Sequence, residues 1–191
     1  MNKLRAMTRN HLLAELHTYR PASQREQGHL WKIISLLESA PNCFLRSRTE
    51  GHMTASAWIV SPDLQQVLLM HHRKLDKWLQ PGGHADGDTN LPGVAMREAH
   101  EETGLTSLRL LRSEVFDVDV HPIPARGTEA EHQHYDVRYL LTANPEEPLG
   151  PNGESKGLAW VPLEEVERLT AANPSILRMV HKTQAAPVLK V

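Results

Sequence analysis

The stretch GGHADGDTNLPGVAMREAHEETGL, residues 82–105, decides how this chain is read. Glu98, Glu101 and Glu102 fall three and four positions apart in it. On a helix such side chains are neighbours, and like charges there cost roughly 0.2–0.5 kcal/mol per pair. A helix built only for stability would interleave lysines. Arg97 precedes Glu101 by four residues and can pair with it, but one arginine cannot neutralise three glutamates. Within one turn the carboxylate oxygens can converge. Hard divalent cations such as Mg2+ and Mn2+ take oxygen ligands, and Mg2+ usually completes its shell from water and substrate phosphates. The charge is therefore read as gathered to hold a metal that meets phosphate.

The flanks of this helix fit that reading. A helix is predicted over 90–103, with Asp88 or Thr89 as N-cap, Pro92 in the first turn and Thr103-Gly104 as the stop. Before it, KWLQPGGHADGDT (77–89) reads as a glycine-rich loop. Gly82-Gly83 there permits backbone conformations that side chains penalise. A tight turn alone would also explain the two glycines. A glycine loop leading into an acidic helix that stops at Gly104 is far more specific than either part.

Further out, residues 8–19 and 24–39 show helical spacing, the second with Leu30, Ile33, Ile34, Leu36 and Leu37. MTASAWIV (53–60) and QVLLMH (66–71) read as strands joined by the turn residues Ser61, Pro62 and Asp63. Residues 107–120 hold strand material, 134–142 form another strand, and LAWV (158–161) is a short one. LEEVERL (163–169) and PSILRMVHK (174–182) read as closing helices. Strands, a helix, strands and helices again suggest a mixed sheet covered by helices. Residues 1–50 are expected to be a helical extension, and 51–191 the main domain. The extension is read as added core, with a cap over the site or a homodimer contact as the other options.

The bulk figures narrow the class. The 191 residues are 40% apolar and 23% charged, with a formal net charge of −2, ordinary for a globular domain. No basic field argues for long nucleic acid, and no polybasic run for a membrane surface. No apolar run approaches the ~18 residues of a membrane span. The single Cys43 excludes an internal disulfide and fits a reducing, cytoplasmic setting. Twelve histidines are the one oddity.

The segment Gly83–Leu105 resembles the Nudix box, G-x5-E-x7-R-E-U-x-E-E-x-G-U with U apolar. Gly83, Arg97-Glu98-Ala99, Glu101-Glu102 and Gly104-Leu105 match at the required spacing. The first glutamate of the pattern falls on Thr89, with Asp88 one residue earlier. Either Asp88 takes over its role or that role is absent. ESKGLAWVPLEEV (154–166) also looks like the Nudix stretch in which a tryptophan strand precedes a helix. The resemblance implies an α/β/α sandwich around a mixed β-sheet. It implies Mg2+- or Mn2+-dependent hydrolysis of a small-molecule nucleoside diphosphate linked to another group X. The alternative is a module of this fold that binds a nucleotide without hydrolysing it. Such a module should have lost metal-ligand glutamates, and all three are present here.

By the same resemblance Glu98, Glu102, Glu101 and the carbonyl of Gly82 are the metal ligands. Arg97 would orient a glutamate. The base that takes a proton from water would be a glutamate of the helix or Glu154. A second group stands apart. In EHQHYDVRYL, His132, His134, Asp136 and Arg138 alternate, so on a strand all four share one face. That row could bind phosphate, metal or a base, or be a solvated polar face. His84, inside the glycine loop, could reach a phosphate. His71, His72 and His121 read as surface or structural histidines, Cys43 and Trp160 as packing residues, and Trp78 as packing its loop on the sheet.

Overall fold

The computed structural model of the chain describes residues 8–127, 129–150 and 152–185. Its strands form an eight-stranded sheet in the order β3-β2-β1-β7-β5, with β4 on β1, β6 on β7 and β8 on β2. These are β1 (Gly51–Val60), β2 (Gln66–His72), β3 (Lys77–Leu79), β4 (Gly82–His84), β5 (Arg109–Leu110), β6 (Asp117–Ile123), β7 (His132–Thr142) and β8 (Ser155–Pro162). The helices are α1 (Arg9–Thr18), α2 (Gln24–Ser39), α3 (Leu91–Thr103), the short α4 (Val166–Leu169) and α5 (Pro174–Ala185). The ladders of β2 with β1, β3 and β8 are antiparallel, as are those of β7 with β5 and β6. Strand β7 runs parallel to β1: Gln133 N–H donates to the Glu50 carbonyl, and Ala143 N–H donates to that of Val60 at the same offset. The sheet is therefore mixed, and with its helices it is the α/β/α sandwich that the sequence led us to expect.

By backbone proximity the chain divides into two compact units. The first takes the chain up to Ser56, Gly83–Ala95 and Ser113–Tyr139. Its helices α1 and α2 begin at Thr8 and Ser23, whose hydroxyls accept from His11 N–H and Glu26 N–H. Leu12, Leu16, Leu30, Ile33 and Leu37 are buried from these helices. Polar anchors fix their positions. Glu15 accepts from Val115 N–H, and Tyr19 Oη donates to the buried Glu26 carboxylate. Helix α2 packs on β6, and β6 is registered on β7 from Asp117↔Arg138 to Ile123↔His132.

The second unit takes Ala57–Gly82, Met96–Arg112 and the chain from Leu140 onward. One edge of β2 carries the end of β1 and then β3, and the other edge carries β8. Ile59, Val60, Val67, Leu68, Leu69 and Met70 are buried without alternation, as on strands covered on both faces. Trp58 Nε1 donates to Thr183 Oγ1 of α5 at 2.9 Å.

Several expectations change in detail. The segment read as a glycine loop contains β3, which pairs with β2 from Met70↔Leu79 to His72↔Lys77, and β4, on either side of which Ala57 N–H donates to Pro81 O and Ala85 N–H donates to Met53 O. Gly82 and Gly83 are thus extended strand residues. The acidic helix starts at Leu91 rather than at residue 90. Asp88 accepts from Asn90 N–H at 2.8 Å in the turn before it. Strand β8 is twice as long as LAWV, because it pairs with β2 along its whole length.

The helix stop is as expected. Gly104 has φ 73°, and its N–H donates to His100 O at 2.9 Å. A Cβ there would lie 3.1 Å from Gly150 Cα. We expect Gly104→Ala to destabilise the protein by about 1–2 kcal/mol, from the left-handed backbone and this contact together. A thermal melt should record a fall of roughly 2–8 °C; an unchanged melt would mean that the stop does not need glycine.

Candidate functional site

In the second unit, α3 presents the three glutamates in three different surroundings. Glu102 is buried, at 4% exposure, and its Oε2 accepts from Gly82 N–H at 2.9 Å. Glu98 is mostly covered and holds Arg97 Nη2 at 2.8 Å. Glu101 is exposed and lies 3.9 Å from Arg97 Nε. Arg97 thus contacts its neighbour Glu98 more closely than the expected partner at i+4. Glu154 enters from the segment before β8. Its N–H donates to Asn152 Oδ1, and its carbonyl accepts from Arg73 N–H at 2.8 Å.

The electrostatics link these four carboxylates. Burial, and then the negative charges of Glu98, Glu154 and Glu101, push the Glu102 pKa up to about 8, against the lowering effect of the Gly82 N–H. One further positive charge at this turn would reverse the repulsion. The donors are all oxygen, so they suit a hard divalent cation rather than a soft one. Glu98, Glu101, Glu102 and the carbonyl of Gly82 are the residues that could hold it.

In the first unit the expected polar row of β7 splits. Asp136 and Arg138 are buried, at 1% and 3% exposure. Asp136 accepts from Thr54 Oγ1 at 3.0 Å, from Ser56 Oγ at 2.9 Å and from Arg138 Nε at 2.8 Å. Arg138 also contacts Asp117 at 3.1 Å and Asp119 at 3.3 Å. The three carboxylates raise its already high pKa, so the guanidinium stays charged. Removing one partner of such a buried ion pair typically costs 3–5 kcal/mol. These side chains are engaged with protein.

His132 and His134 join His52, His84 and His121 in a cluster, with ring centroids 5.0–5.7 Å apart for the contacting pairs. Burial, followed by the neighbouring imidazoles, pushes the His134 pKa down to about 2, and burial lowers those of His52 and His84. Burial thus disfavours the charged form of all three rings. Sequence reading had singled out neither His52 nor the Asp117–Asp119 pair. The signal was present in alternation: His52, Thr54 and Ser56 on β1, and Asp117 and Asp119 on β6. His121 lies 3.3 Å from Asp119 Oδ2, Trp78 stacks on His71, and Cys43 is buried and free. No helix among the described residues is long and apolar enough to cross a membrane.

Comparison with known proteins matches residues 51–182 to the NUDIX domain model. A probable DHNTP pyrophosphohydrolase of Lactococcus lactis is 35% identical over 63% of this chain and 72% of its own length. An 8-oxo-(d)GTP phosphatase of Mycolicibacterium smegmatis is 32% identical over 54% of this chain, which spans only 29% of that longer protein. Among solved structures, a NUDIX family hydrolase from Clostridium perfringens has a TM-score of 0.52 and 26% identity, over 70% of this chain and 96% of its own.

The raised Glu102 pKa has a direct consequence for stability. A carboxyl whose folded pKa lies above its unfolded value stabilises the fold below the unfolded value and loses that contribution as pH rises through the folded one. With chelator present, stability should therefore fall by a few kcal/mol between pH 4.5 and about 8 relative to Glu102→Gln. Paired thermal melts across that range measure it. Parallel pH profiles for the two proteins would contradict the assignment.

Proposed function

We propose that this chain, which belongs to the Nudix family and is a hydrolase of diphosphate linkages, acts on a small nucleotide-type polyphosphate with Mg2+ or Mn2+. The observation that carries the proposal is the gathering of Glu98, Glu101 and Glu102 on one turn of α3, with Glu154 adding charge against the buried Glu102. Relatives named for DHNTP and 8-oxo-(d)GTP support a triphosphate as the first substrate to try. A bound divalent cation would supply charge neutralisation at the diphosphate and a lowered pKa for water.

The chain's own residues divide the remaining work. Glu98, Glu101, Glu102 and the Gly82 carbonyl are the proposed metal ligands. Arg97 Nη2 lies 2.8 Å from Glu98 Oε1 and orients that carboxylate. The Gly82 N–H does the same for Glu102 at 2.9 Å. Glu102 thus has one oxygen committed to the backbone, and Glu154, the one of the four carboxylates outside this ligand set, is the proposed acceptor of the proton of attacking water, with a glutamate of α3 as the alternative. The box position taken by Thr89 contributes no carboxylate, and Asp88 is occupied by the Asn90 N–H. Residues 1–50 are proposed as a helical extension to a domain spanning 51–191, which the family match over 51–182 supports. The free thiol of Cys43 supports a cytoplasmic setting.

The test is pyrophosphate and phosphate release from a panel that includes 8-oxo-dGTP, DHNTP, ADP-ribose and nucleotide sugars, with and without Mg2+ or Mn2+. Metal-dependent turnover should fall about a hundredfold or more in Glu98→Gln. Loss of turnover with unchanged Mn2+ affinity in Glu154→Gln would identify Glu154 as the base, and unchanged turnover there would assign that role to a glutamate of α3. Metal-dependent nucleotide binding without turnover on any substrate would overturn the proposal.

A further inference from the structure

The histidine cluster of the first unit carries chemistry that the glutamate turn does not use. One ring nitrogen from each of His52, His132 and His134 lies within 4.8 Å of the others. His52 Nδ1 is 3.2 Å from Arg48 O, and His132 Nδ1 is 2.9 Å from Ala130 O. A carbonyl oxygen only accepts, so both Nδ1 atoms carry the proton. In a neutral imidazole, Nε2 is then left as a lone pair. His52 Nε2 is buried and has no hydrogen-bond partner. His132 Nε2 is 3.3 Å from His134 Nε2. A single N–H on His134 can satisfy one of these lone pairs, not both.

That arrangement is what a metal ligand set needs. Metal-binding histidines commonly donate the second ring N–H to a backbone carbonyl, which fixes the tautomer and aims the free nitrogen. Two Zn–N bonds of about 2.0–2.1 Å at a tetrahedral angle place their nitrogens about 3.3 Å apart, the spacing of the His132 and His134 Nε2 atoms. The rings are held by neighbouring strands: His52 is on β1, and His132 and His134 are on β7. The covered setting disfavours imidazolium, the form that cannot bind a cation.

We infer that His52, His132 and His134 form a second metal site, selective for a divalent transition ion of the zinc class. Its donors are three imidazole nitrogens, with a fourth position open to water or to His84, whose ring centroid is 5.0 Å from those of His52 and His134. Imidazole suits zinc and its neighbours, whereas carboxylate and carbonyl oxygens suit Mg2+ and Mn2+. The two sets of donors are therefore distinguishable by the ion each prefers.

The experiment uses the full chain, stripped with chelator and titrated with Zn2+ against a chromophoric competitor, with Co2+ as a spectroscopic probe. Wild type should bind one tight equivalent of Zn2+ and show visible Co2+ absorption of low-coordinate type. Glu98→Gln should retain both. His132→Ala, a partly exposed position, should weaken Zn2+ binding at least tenfold and lose the Co2+ band. His52→Gln provides a second test should either histidine variant fail to fold by circular dichroism. No tight equivalent in folded wild type, or a tight equivalent that survives both histidine substitutions, would overturn the inference.

Discussion

The buried carboxylate of Glu102 is the constraint around which the acidic turn is organised. It sits at 4% exposure with three other carboxylates contributing repulsion, and only one backbone N–H directly compensates it. Burying a charge in this way is costly unless something positive arrives. The fold accepts that cost on a helix whose stop is firmly set. Asn90 precedes its first residue, and Gly104 ends it in a left-handed conformation that few side chains tolerate. Arg97 relieves Glu98 and, more loosely, Glu101. The site is thus poised for a cation, and the sequence spends its local stability on that readiness.

The first unit shows the opposite treatment of buried charge. Arg138 is enclosed by Asp117, Asp119 and Asp136, and Thr54 and Ser56 donate to Asp136. Each charge there has protein partners, so the network specifies the pairing of β6 with β7 rather than waiting for a ligand. The neighbouring histidines differ again, being close together in a setting where burial disfavours the charged form of His52, His84 and His134. Carboxylates that repel, charges that pair and imidazoles in close contact are three distinct electrostatic states within one small protein.

Much of this was legible in the sequence because the signals were local. The acidic helix, its glycine stop, both N-terminal helices and the buried strands β1 and β2 each follow from spacing within a few residues. The family follows from a long pattern between Gly83 and Leu105. What escaped was non-local. The strands β3 and β4 are only three residues long, too short to show a pattern, and β4 carries two glycines and pairs with the distant β1. The row on β7 was visible as alternation, but its split depends on which residues of β1 and β6 lie beside it. His52 became notable only when the pairing of β1 with β7 brought it to His132 and His134. No local rule places a histidine 80 residues away from its neighbours.

The most direct test of the central claim is a titration of the metal-free protein with Mn2+, followed by the electron paramagnetic resonance signal of the free ion. Wild type should deplete that signal, His132→Ala should deplete it equally, and Glu98→Gln should leave it near the level of buffer alone. Equal depletion by Glu98→Gln and wild type would show that the carboxylates of α3 are not gathered to hold the metal, and the account of this turn would fail.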